Sequence, residues 1–495
     1  MENDIIKKIE LLKKYQSETN QIEAKTASKD FPKKCYDTIS SFSNTYGGTI
    51  IFGIDEENGF TEQDVYDIKD LQSKISSLCA DAMEPVIRPE FEMIEYNGKK
   101  LLAVNISELP QAQKPCYYKP AGMLKGSFIR IGDNDEHMTD YEIYSLQSYK
   151  NGVQEDLRPV KRATIDDLNK EKINEYLRIV RDSKPHFAKN SDEKILKLCG
   201  VLESDQGNMY PTLAGILLFA DYPQAFFPQL FIACVSFPGN EVGELGELGQ
   251  RFDDNKRVEG TIEEMLEGTL TFLRKNMKNR VIIDQNTGKR TNLSEYPMLA
   301  LKEAVANALV HRDYSVSREG TYIQVHMFKD RIVVQNPGAL YGNNKLDKLG
   351  TDTIMEARNK NIIRILEEKG SIIENRHTGI PTMKNEMKNN KLPEPIFEEI
   401  RGDFKVTFKN DSMDIDQGVD QGVDHGQNKM NINKNILEFC KIPRTAKEIA
   451  INFGYSSHKY FKRKYIKPLL LSGNLKMTIP EKPSSENQKY VDVNY

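Results

Sequence analysis

The sequence predicts a multidomain α+β protein, in which helical and extended segments alternate along 495 residues. The length corresponds to about three domains of about 150 residues each. Apolar residues alternate with polar ones over 323–334, which is typical of strands, and recur at three- to four-residue spacing over 297–311, which is typical of a helix. A polar, glycine-rich stretch at 411–430 then separates the body of the chain from its tail, as expected for a flexible linker.

The bulk composition excludes several classes of protein. The formal net charge is −4, with 38% hydrophobic and 29% charged residues, which is enough apolar material for several cores. Six cysteines are scattered without CxxC spacing, so neither a zinc site nor a disulfide framework is indicated. No run of about 20 apolar residues occurs, and the N-terminus does not look like a signal peptide. We therefore expect a cytoplasmic protein that does not contact a membrane.

Residues 1–150 are predicted to form a first α/β domain. The stretch 49–54 is apolar throughout, which predicts a central strand covered on both faces. A short strand precedes it at 20–25, and a helix between them begins after Pro32 and stops at Gly47-Gly48. Further strands are predicted at 91–96, 101–106 and 127–131, before a closing helix that ends near Leu146.

Residues 160–280 are predicted to form a linking α/β segment. Helical spacing occurs at 173–180, at 193–198 and, with an amphipathic pattern, at 261–277. The stretch 231–237 is a candidate buried strand.

Residues 281–410 contain the most informative pattern, one helix followed by a β-hairpin that ends on Gly338. Glu303, Asn307 and His311 are four residues apart, so they form one stripe along the helix. A carboxylate and an amide one turn apart fit a nucleotide–magnesium site, where Glu303 orients a water and Asn307 holds the metal. The alternative is that the stripe is only the solvated face of an amphipathic helix. The loop-rich stretch 341–362 suits a lid over a bound nucleotide.

Residues 431–495 are predicted to form a winged helix-turn-helix. Residues 429–495 hold 13 Lys/Arg against 5 Asp/Glu, a balance of +8, so the rest of the chain carries −12. A basic third helix suits contact with nucleic acid, and the alternative is a protein-contact module. The basic residues of this predicted helix are Lys459, Lys462, Arg463, Lys464 and Lys467.

Three motifs in the 281–410 region resemble those of the GHKL ATPase superfamily. Glu303-x-x-x-Asn307-Ala308 resembles the first motif, and Asn336-Pro337-Gly338 lies where the superfamily has an Asp-x-Gly motif that contacts adenine. Thr378-Gly379-Ile380 lies where a later glycine motif lines the phosphates. The resemblance implies an α/β sandwich core that binds ATP and Mg²⁺, with Glu303 catalytic and Asn307 on the metal. The nucleotide-binding residues would be Asn307, His311, Asn336, Gly338, Thr378 and Gly379.

The sequence NALVHRDYS at 307–315 resembles the hallmark of a divergent GHKL branch, the RecG-like C-terminal family. That resemblance covers about residues 160–410. The chain departs from the superfamily at two positions, with Asn336 in place of an acid and His377 in place of a glycine. Both departures are compatible with nucleotide binding, and we expect hydrolysis to be slow or absent.

Residues 1–150 resemble the Schlafen AlbA-type domain, a nucleic-acid-binding module. The matching residues are Glu23-Ala24-Lys25, 39–44, 47–55 and 128–132. The resemblance implies that Lys25 and Arg130 contact phosphate. In ribonuclease members of the family, acids that correspond to Glu18, Glu23 and Asp55 hold Mg²⁺ or Mn²⁺. The alternative is that Glu18 is a surface residue and Asp55 a turn residue.

Three functional hypotheses follow. The first is a nucleotide-controlled nucleic-acid-binding protein that acts as a bacterial regulator and homo-oligomer, with DNA expected as its partner rather than RNA. The second is a Schlafen-like metal-dependent nuclease, cutting RNA or single-stranded DNA in antiviral defence. The third is an assembly protein in which both sites are vestigial.

Overall fold

The computed structural model describes residues 2–32, 34–283, 290–351, 355–370, 379–400, 402–410, 436–452, 462–471, 474–479 and 488–493. The chain divides into two compact units, Met1–Ser412 and Met413–Tyr495. Both contain helices and strands, so the fold is the predicted multidomain α+β class. Among the described residues, no helix combines the length and the apolar character needed to cross a membrane.

The N-terminal part of the first unit is built on a four-stranded sheet of order β1-β2-β7-β6. Strands β1 and β2 are parallel, and the other two pairs are antiparallel. The helices are α1 (Glu2–Tyr15), α2 (Cys35–Asn44), α3 (Ile68–Ser77), α4 (Met123–Gly126) and α5 (Asp140–Lys150). The strands are β1 (Ile22–Lys25), β2 (Gly48–Phe52), β3 (Ile54–Asp55), β4 (Thr61–Glu62), β5 (Met83–Glu84), β6 (Glu90–Tyr96), β7 (Lys99–Ile106), β8 (Tyr117–Tyr118), β9 (Phe128–Ile131) and β10 (Asn134–His137).

Strand β2 is central because both of its faces are covered. Ile50 and Phe52 belong to the core that includes Phe42 of α2. Ile51 points to the other face and joins the core that includes Ile9 of α1. Successive residues of a strand point to opposite faces, so a strand with a core on each side is apolar throughout. The predicted central strand is confirmed.

The linking segment is mainly helical. The predicted amphipathic helix is confirmed as α9, where Thr261 and Glu264 form a capping box at its start. The elements are α6 (Lys170–Ser183), α7 (Asp192–Leu198), β11 (Leu202–Asp205), β12 (Asn208–Pro211), α8 (Leu213–Phe219), β13 (Ile232–Ser236), β14 (Asp254–Val258) and α9 (Ile262–Asn276).

A six-stranded sheet of order β14-β13-β17-β18-β20-β19 organises the rest of the first unit. The predicted helix–hairpin pattern is present as α10, β17 and β18, with Val325 opposite Val334 in the hairpin. The elements are β15 (Asn279–Ile283), β16 (Arg290–Ser294), α10 (Met298–His311), β17 (Ile323–Met327), β18 (Arg331–Pro337), α11 (Lys360–Lys369), α12 (Gly379–Asn389), β19 (Ile396–Ile400) and β20 (Asp403–Lys409).

Helix α10 is more buried than an ordinary amphipathic helix. Its small and branched residues, including Ala304, Val305 and Ala308, are buried in the main core. Glu303 and Asn307 are half-buried, and His311 is exposed. Buried apolar residues cover most of the circumference of α10, so its polar residues Glu303, Asn307 and His311 form a narrow stripe.

The second unit contains a three-stranded antiparallel sheet of order β21-β23-β22. These strands are β21 (Arg444–Thr445), β22 (Leu475–Met477) and β23 (Lys489–Asp492). Thr445 caps the helix Ala446–Asn452, because its hydroxyl accepts a hydrogen bond from Glu448 N at 3.2 Å. A π-helical turn at Lys462–Ile466 runs directly into a helical segment at Lys467–Leu471, which contains Pro468.

Candidate functional site

A cavity of about 210 Å³ lies against α10 and the six-stranded sheet. Its lining includes the predicted residues Glu303, Asn307, His311, Asn336, Gly338 and Gly379. The structure therefore brings six of the seven expected nucleotide-binding and catalytic positions to one cavity. Thr378, the seventh, lies outside the described residues.

The helix wall of the cavity is formed by Glu303, Asn307 and Gly379, where the first residue of α12 approaches α10. A Cβ placed on Gly379 would lie 2.9 Å from Glu303 Oε2 and 3.2 Å from Asn307 Nδ2. A larger residue at position 379 would require the ends of the Glu303 and Asn307 side chains to shift. The arrangement places a carboxylate, an amide and the first turn of an 11-residue helix side by side. Free backbone N–H groups of such a turn favour anions.

The sheet wall is formed by Val334, Asn336, Phe404 and Val406. In the pairing of β18 with β20, Val334 lies opposite Val406 and Asn336 opposite Phe404. Residues two apart on a strand share a face, so these four side chains form one surface. Asn336 is 5% exposed, and its Oδ1 has no hydrogen-bond partner among the described residues. This wall is apolar apart from the Asn336 amide, whose oxygen accepts no hydrogen bond from the described residues.

Gly338 ends β18 with a φ of +119°, a conformation that side chains rarely adopt. A Cβ at this position would lie 2.8 Å from Asp313 Cβ. The Asp313 N–H donates to Pro337 O at 2.8 Å, which joins the loop after α10 to the end of β18. The glycine therefore lets two cavity-forming segments meet.

The His311 side chain is accessible to solvent through the cavity that it lines, and the cavity walls surround it. Burial and the nearby positive charge of Arg358 lower the pKa of His311 to about 4. The imidazole is therefore neutral at pH 7, and it can donate or accept a hydrogen bond towards a ligand.

Asp313 anchors the loop that follows α10, and sequence reasoning missed its role. Its carboxylate pairs with Arg358 at 2.9 Å and accepts from Tyr141 OH at 2.6 Å. The charge of Arg358 and these hydrogen bonds outweigh burial and lower the pKa of Asp313. The motif HRDYS contained the signal for Asp313. Nothing in the sequence indicated its partners, because Tyr141 is 172 residues away.

The stretch 341–362, which was expected to form a lid, makes hydrogen bonds and an ion pair with the N-terminal part of the same unit. Tyr149 of α5 donates to Glu356 Oε2 at 2.8 Å, and Glu356 lines the cavity. Asn343 donates to Glu356 Oε1 at 2.6 Å, and Lys345 pairs with Glu108 at 2.6 Å. We call Glu108, Tyr149, Asn343, Lys345 and Glu356 the latch. The latch connects the cavity to the domain in which nucleic-acid contact is expected.

The acids expected to hold a nuclease metal ion are not arranged as predicted. Glu18 and Glu23 do come together, but the Arg130 guanidinium binds both, at 3.2 Å and 2.8 Å, and also Asp135 at 2.9 Å. Asp55 instead accepts from Asn58 at 2.7 Å and from Gln63 at 2.6 Å. In the part of the chain that the structure describes, no three acidic, histidine or cysteine side chains are grouped to hold a metal ion.

One of the two phosphate contacts expected in this domain, Arg130, needs correction, and the other, Lys25, stays a prediction. The Arg130 side chain is 1% exposed and contacts three acidic side chains, so it is not available to a phosphate. The Lys25 side chain is 25% exposed and pairs with Glu23. Both cations neutralise buried acids of their own domain.

Glu18 and Glu23 titrate as an unequal pair. Burial, followed by the hydrogen bond and charge of Glu23, raises the pKa of Glu18 to about 9. Burial pushes the pKa of Glu23 upward, but the Glu18 hydrogen bond and the charges of Lys25 and Arg130 outweigh it and lower that pKa. At neutral pH Glu18 is protonated and Glu23 is ionised.

The structure describes the predicted recognition helix of the second unit only in part. Lys459 lies outside the described residues, and only the backbone of Arg463 and Lys464 is described. Lys467 is exposed, and Lys462 Nζ lies 5.6 Å from the centre of the Tyr490 ring. The nucleic-acid role of this helix remains a prediction.

Four family descriptions match segments of the chain. Residues 18–139 match "Schlafen, AlbA_2", and residues 320–408 match "Putative ATP-dependent DNA helicase recG C-terminal". Residues 145–233 match a domain of unknown function, DUF8451. Residues 434–491 match "Filamentation induced by cAMP protein Fic-like, C-terminal domain", where a winged helix was expected. The match to the RecG C-terminal family begins at residue 320, after α10 ends. That match therefore does not include Glu303, Asn307 and His311, and only the geometry places them in the cavity lining.

Two solved structures resemble the chain. One is the DIP2311 protein of Corynebacterium diphtheriae, 18% identical, which covers 96% of this chain and 92% of that one with a TM-score of 0.38. The other is the N-terminal domain of a putative ATP-dependent DNA helicase RecG-related protein from Nitrosomonas europaea. It is 30% identical and covers 26% of this chain and 90% of that one, with a TM-score of 0.22. No curated protein matches the chain.

Proposed function

Because the chain contains a Schlafen AlbA_2 domain and a segment like the RecG C-terminal domain, we propose that it binds nucleic acid under the control of a nucleotide. The nucleotide is ATP, held in the cavity. One observation carries the proposal: residues predicted from three separate motifs, namely Glu303 with Asn307, Asn336, and Gly379, line a single cavity. If the polar stripe on α10 were only the solvated face of an amphipathic helix, we would not expect it to share a cavity with the glycine that begins α12. We would also not expect a buried amide there whose oxygen has no partner among the described residues.

The helix wall fits the phosphates and a magnesium ion. Mg²⁺ prefers oxygen ligands, and Asn307 supplies an amide oxygen beside the Glu303 carboxylate. The ion would neutralise phosphate charge, and Asn307 would hold it. Glu303 would orient a water and accept its proton. The α12 N-terminus would bind phosphate oxygens through its N–H groups.

The latch supports control of one domain by the other. Glu356 belongs both to the cavity lining and to the contact with Tyr149 of α5. A ligand that moves Glu356 therefore changes a contact of α5, the helix that follows the segment matched by the AlbA_2 family. An effector acts on a second site only through contacts that differ between two states, and the latch provides such contacts. The finer proposals are a bacterial regulator, DNA as the partner, and a homo-oligomer.

Titration calorimetry of the whole protein with ATP and Mg²⁺ tests the nucleotide site. We expect binding by the parent and loss of at least about tenfold in affinity for Asn307→Ala, which removes the metal ligand. The matched control is Asn208→Ala, an exposed residue of β12. A folded protein that gives no binding heat would overturn the proposal.

The nuclease hypothesis has no specific structural support. A metal ion between Glu18 and Glu23 would have to displace Arg130, which already pairs with both acids. Metal-dependent cleavage of an RNA and single-stranded DNA panel by the parent, lost in Glu23→Gln, would establish it against this expectation.

A further inference from the structure

Four aromatic rings form a continuous row in the segment matched by the AlbA_2 family. They belong to Tyr118 of β8, Tyr36 of α2, Phe128 of β9 and His137 of β10. The Tyr118 and Tyr36 rings are stacked, with their centres 4.2 Å apart and an angle of 16° between their planes. The Phe128 ring lies edge-on to Tyr36 at 6.1 Å and packs against His137 at 4.3 Å. We call these four residues the aromatic row.

Three of the four rings keep part of their surface in water. Tyr36 and Tyr118 are half-buried, His137 is exposed, and Phe128 is buried. The alternative is that the row only closes the core beneath it, since both tyrosines pack against that core. A ring that only fills a core buries most of its large apolar area, whereas the open part of these rings is available to another flat ring.

A buried hydrogen-bond network holds the row in place. Tyr36, Ser40 and Asn44 follow one another at four-residue spacing, so they share one face of α2. The Cys116 N–H donates to Asn44 Oδ1 at 2.6 Å, and Asn44 Nδ2 donates to Phe128 O at 2.9 Å. The Phe128 N–H donates to Ser40 Oγ at 2.9 Å. One helix therefore fixes both β9 and the segment that enters β8, and a surface fixed in this way loses little freedom when a ligand binds.

Exposed lysines flank the row. Lys34 precedes the first tyrosine of the row by two residues, and Lys119 directly follows the second. Lys125 is exposed in α4, which packs against β8. Two acids, Asp37 and Glu84, also lie close by, and Glu84 contacts Lys119 at 3.5 Å in a surface pair that contributes little. Partly open rings beside solvated cations match a ligand that carries flat bases on a phosphate backbone.

We propose that the aromatic row is a stacking surface for unpaired bases, so that this part of the chain binds single-stranded nucleic acid. In a duplex, each base is covered on both faces by its neighbours, and only an unpaired base can offer a face to Tyr36 or Tyr118. The lysines then contact phosphates on either side of the stacked bases. This inference rests on the proposed binding of nucleic acid and names the class of substrate.

Fluorescence anisotropy of the whole protein tests the inference, with a labelled thymidine oligonucleotide of about 20 nucleotides and with a duplex of the same length. In Tyr118→Ala, single-strand affinity should fall at least about fivefold, since one stacking ring is lost, and duplex affinity should change less than about twofold. Unchanged single-strand affinity, or an equal loss for both DNA forms, overturns the inference and leaves nucleic-acid binding standing. Binding of the duplex alone by the parent does the same. If neither DNA form nor a uridine oligonucleotide binds the parent, the proposed function itself fails.

Two further variants separate stacking from a general loss of structure. Tyr118→Phe keeps the ring and should bind both DNA forms as the parent does. The matched control Tyr46→Ala removes a tyrosine of the same domain that is 58% exposed and lies outside the row, so affinity should not change. If Tyr118→Ala fails to fold, His137→Ala at the exposed end of the row replaces it, with the same selective loss of single-strand affinity expected.

A fluorescent aminopurine base within the thymidine strand reports stacking directly, because its emission falls when it stacks on an aromatic ring. We expect quenching by the parent and by Tyr118→Phe, and much less by Tyr118→Ala at saturating protein. The slope of log affinity against log salt should be the same for all three proteins, because no cation is removed. Equal quenching by Tyr118→Ala would place the bases elsewhere and overturn the inference.

Discussion

The Tyr141 hydroxyl donates a hydrogen bond of 2.6 Å to Asp313 Oδ2, which ties α5 to the loop that follows α10. Asp313 also pairs with Arg358, and the Arg318 guanidinium lies 3.9 Å from the centre of the Tyr141 ring. One carboxylate and one phenol therefore join α5, which follows the AlbA_2 match, to the loop beside the cavity. These residues make the two parts depend on each other for stability.

Removing that hydroxyl should destabilise the first unit. We expect Tyr141→Phe to lower the free energy of unfolding by about 2 kcal/mol, because the buried carboxylate loses a charge-assisted hydrogen bond. Urea unfolding monitored by circular dichroism measures the change. The control is Tyr46→Phe, since Tyr46 is 58% exposed and its loss should change little. Equal stability of both variants would show that the contact contributes nothing.

Breaking the latch should uncouple the two binding activities. Tyr149→Phe removes the hydrogen bond to Glu356 and keeps the ring contact with Tyr341. In the parent, ATP should change nucleic-acid affinity at least about fivefold, and in the variant less than about twofold. Fluorescence anisotropy with labelled DNA, with and without ATP, measures both. Tyr144→Phe, on the same helix but bonded to Glu155, should behave as the parent. An unchanged ATP effect in Tyr149→Phe would contradict the coupling.

A methyl group at position 379 should disturb the helix wall. In Gly379→Ala, the new Cβ would press on Glu303 and Asn307, and ATP should bind at least about tenfold more weakly. The matched control is Gly320→Ala, because a Cβ at Gly320 meets no atom within 4 Å. Calorimetry with ATP and Mg²⁺ gives the comparison, and thermal melts establish that both variants fold. Parent-like ATP affinity in Gly379→Ala would place the phosphates elsewhere.

The protonated Glu18 should make stability fall as pH rises. The folded state holds this proton up to a pKa of about 9, while an unfolded glutamate loses it above about 4.5. Between these values the native state binds more protons, so the free energy of unfolding decreases with pH by at most about 1.4 kcal/mol per unit. Glu18→Gln should flatten the slope in urea unfolding between pH 5 and 9, whereas Glu136→Gln, at an exposed position, should keep it. A parent-like slope in Glu18→Gln would refute the assignment.

The basic residues of the tail should contribute to nucleic-acid binding through phosphates. Lys467→Gln removes an exposed cation, and the slope of log affinity against log salt should become shallower by about 0.7–0.9. Anisotropy titrations at several salt concentrations measure this slope. Lys447→Gln, an exposed position on the preceding helix, is the control. The same loss in both variants would indicate a diffuse charge effect, and no loss in either would favour a protein-contact module.

The sequence alone determined the fold class, the central strand β2, the helix α10 and the hairpin that follows it. It did so because hydrophobic periodicity and turn residues are local properties of the chain. It also nominated Glu303, Asn307, Asn336 and Gly379 from three motifs that together span more than 70 residues, and all four line one cavity. Periodicity could not show that Oδ1 of Asn336 has no partner, because hydrogen-bond satisfaction depends on every neighbour in space.

The tertiary structure alone decided how the charged residues are used. Arg130 looked like a phosphate contact, but folding buries it among Glu18, Glu23 and Asp135. Asp313 looked like part of a motif, but folding joins it to Tyr141 and Arg358. The physical reason is that a charge buried in a low-dielectric interior must find an opposite charge or a hydrogen bond. Which partner it finds is fixed by long-range packing, which local sequence patterns do not encode.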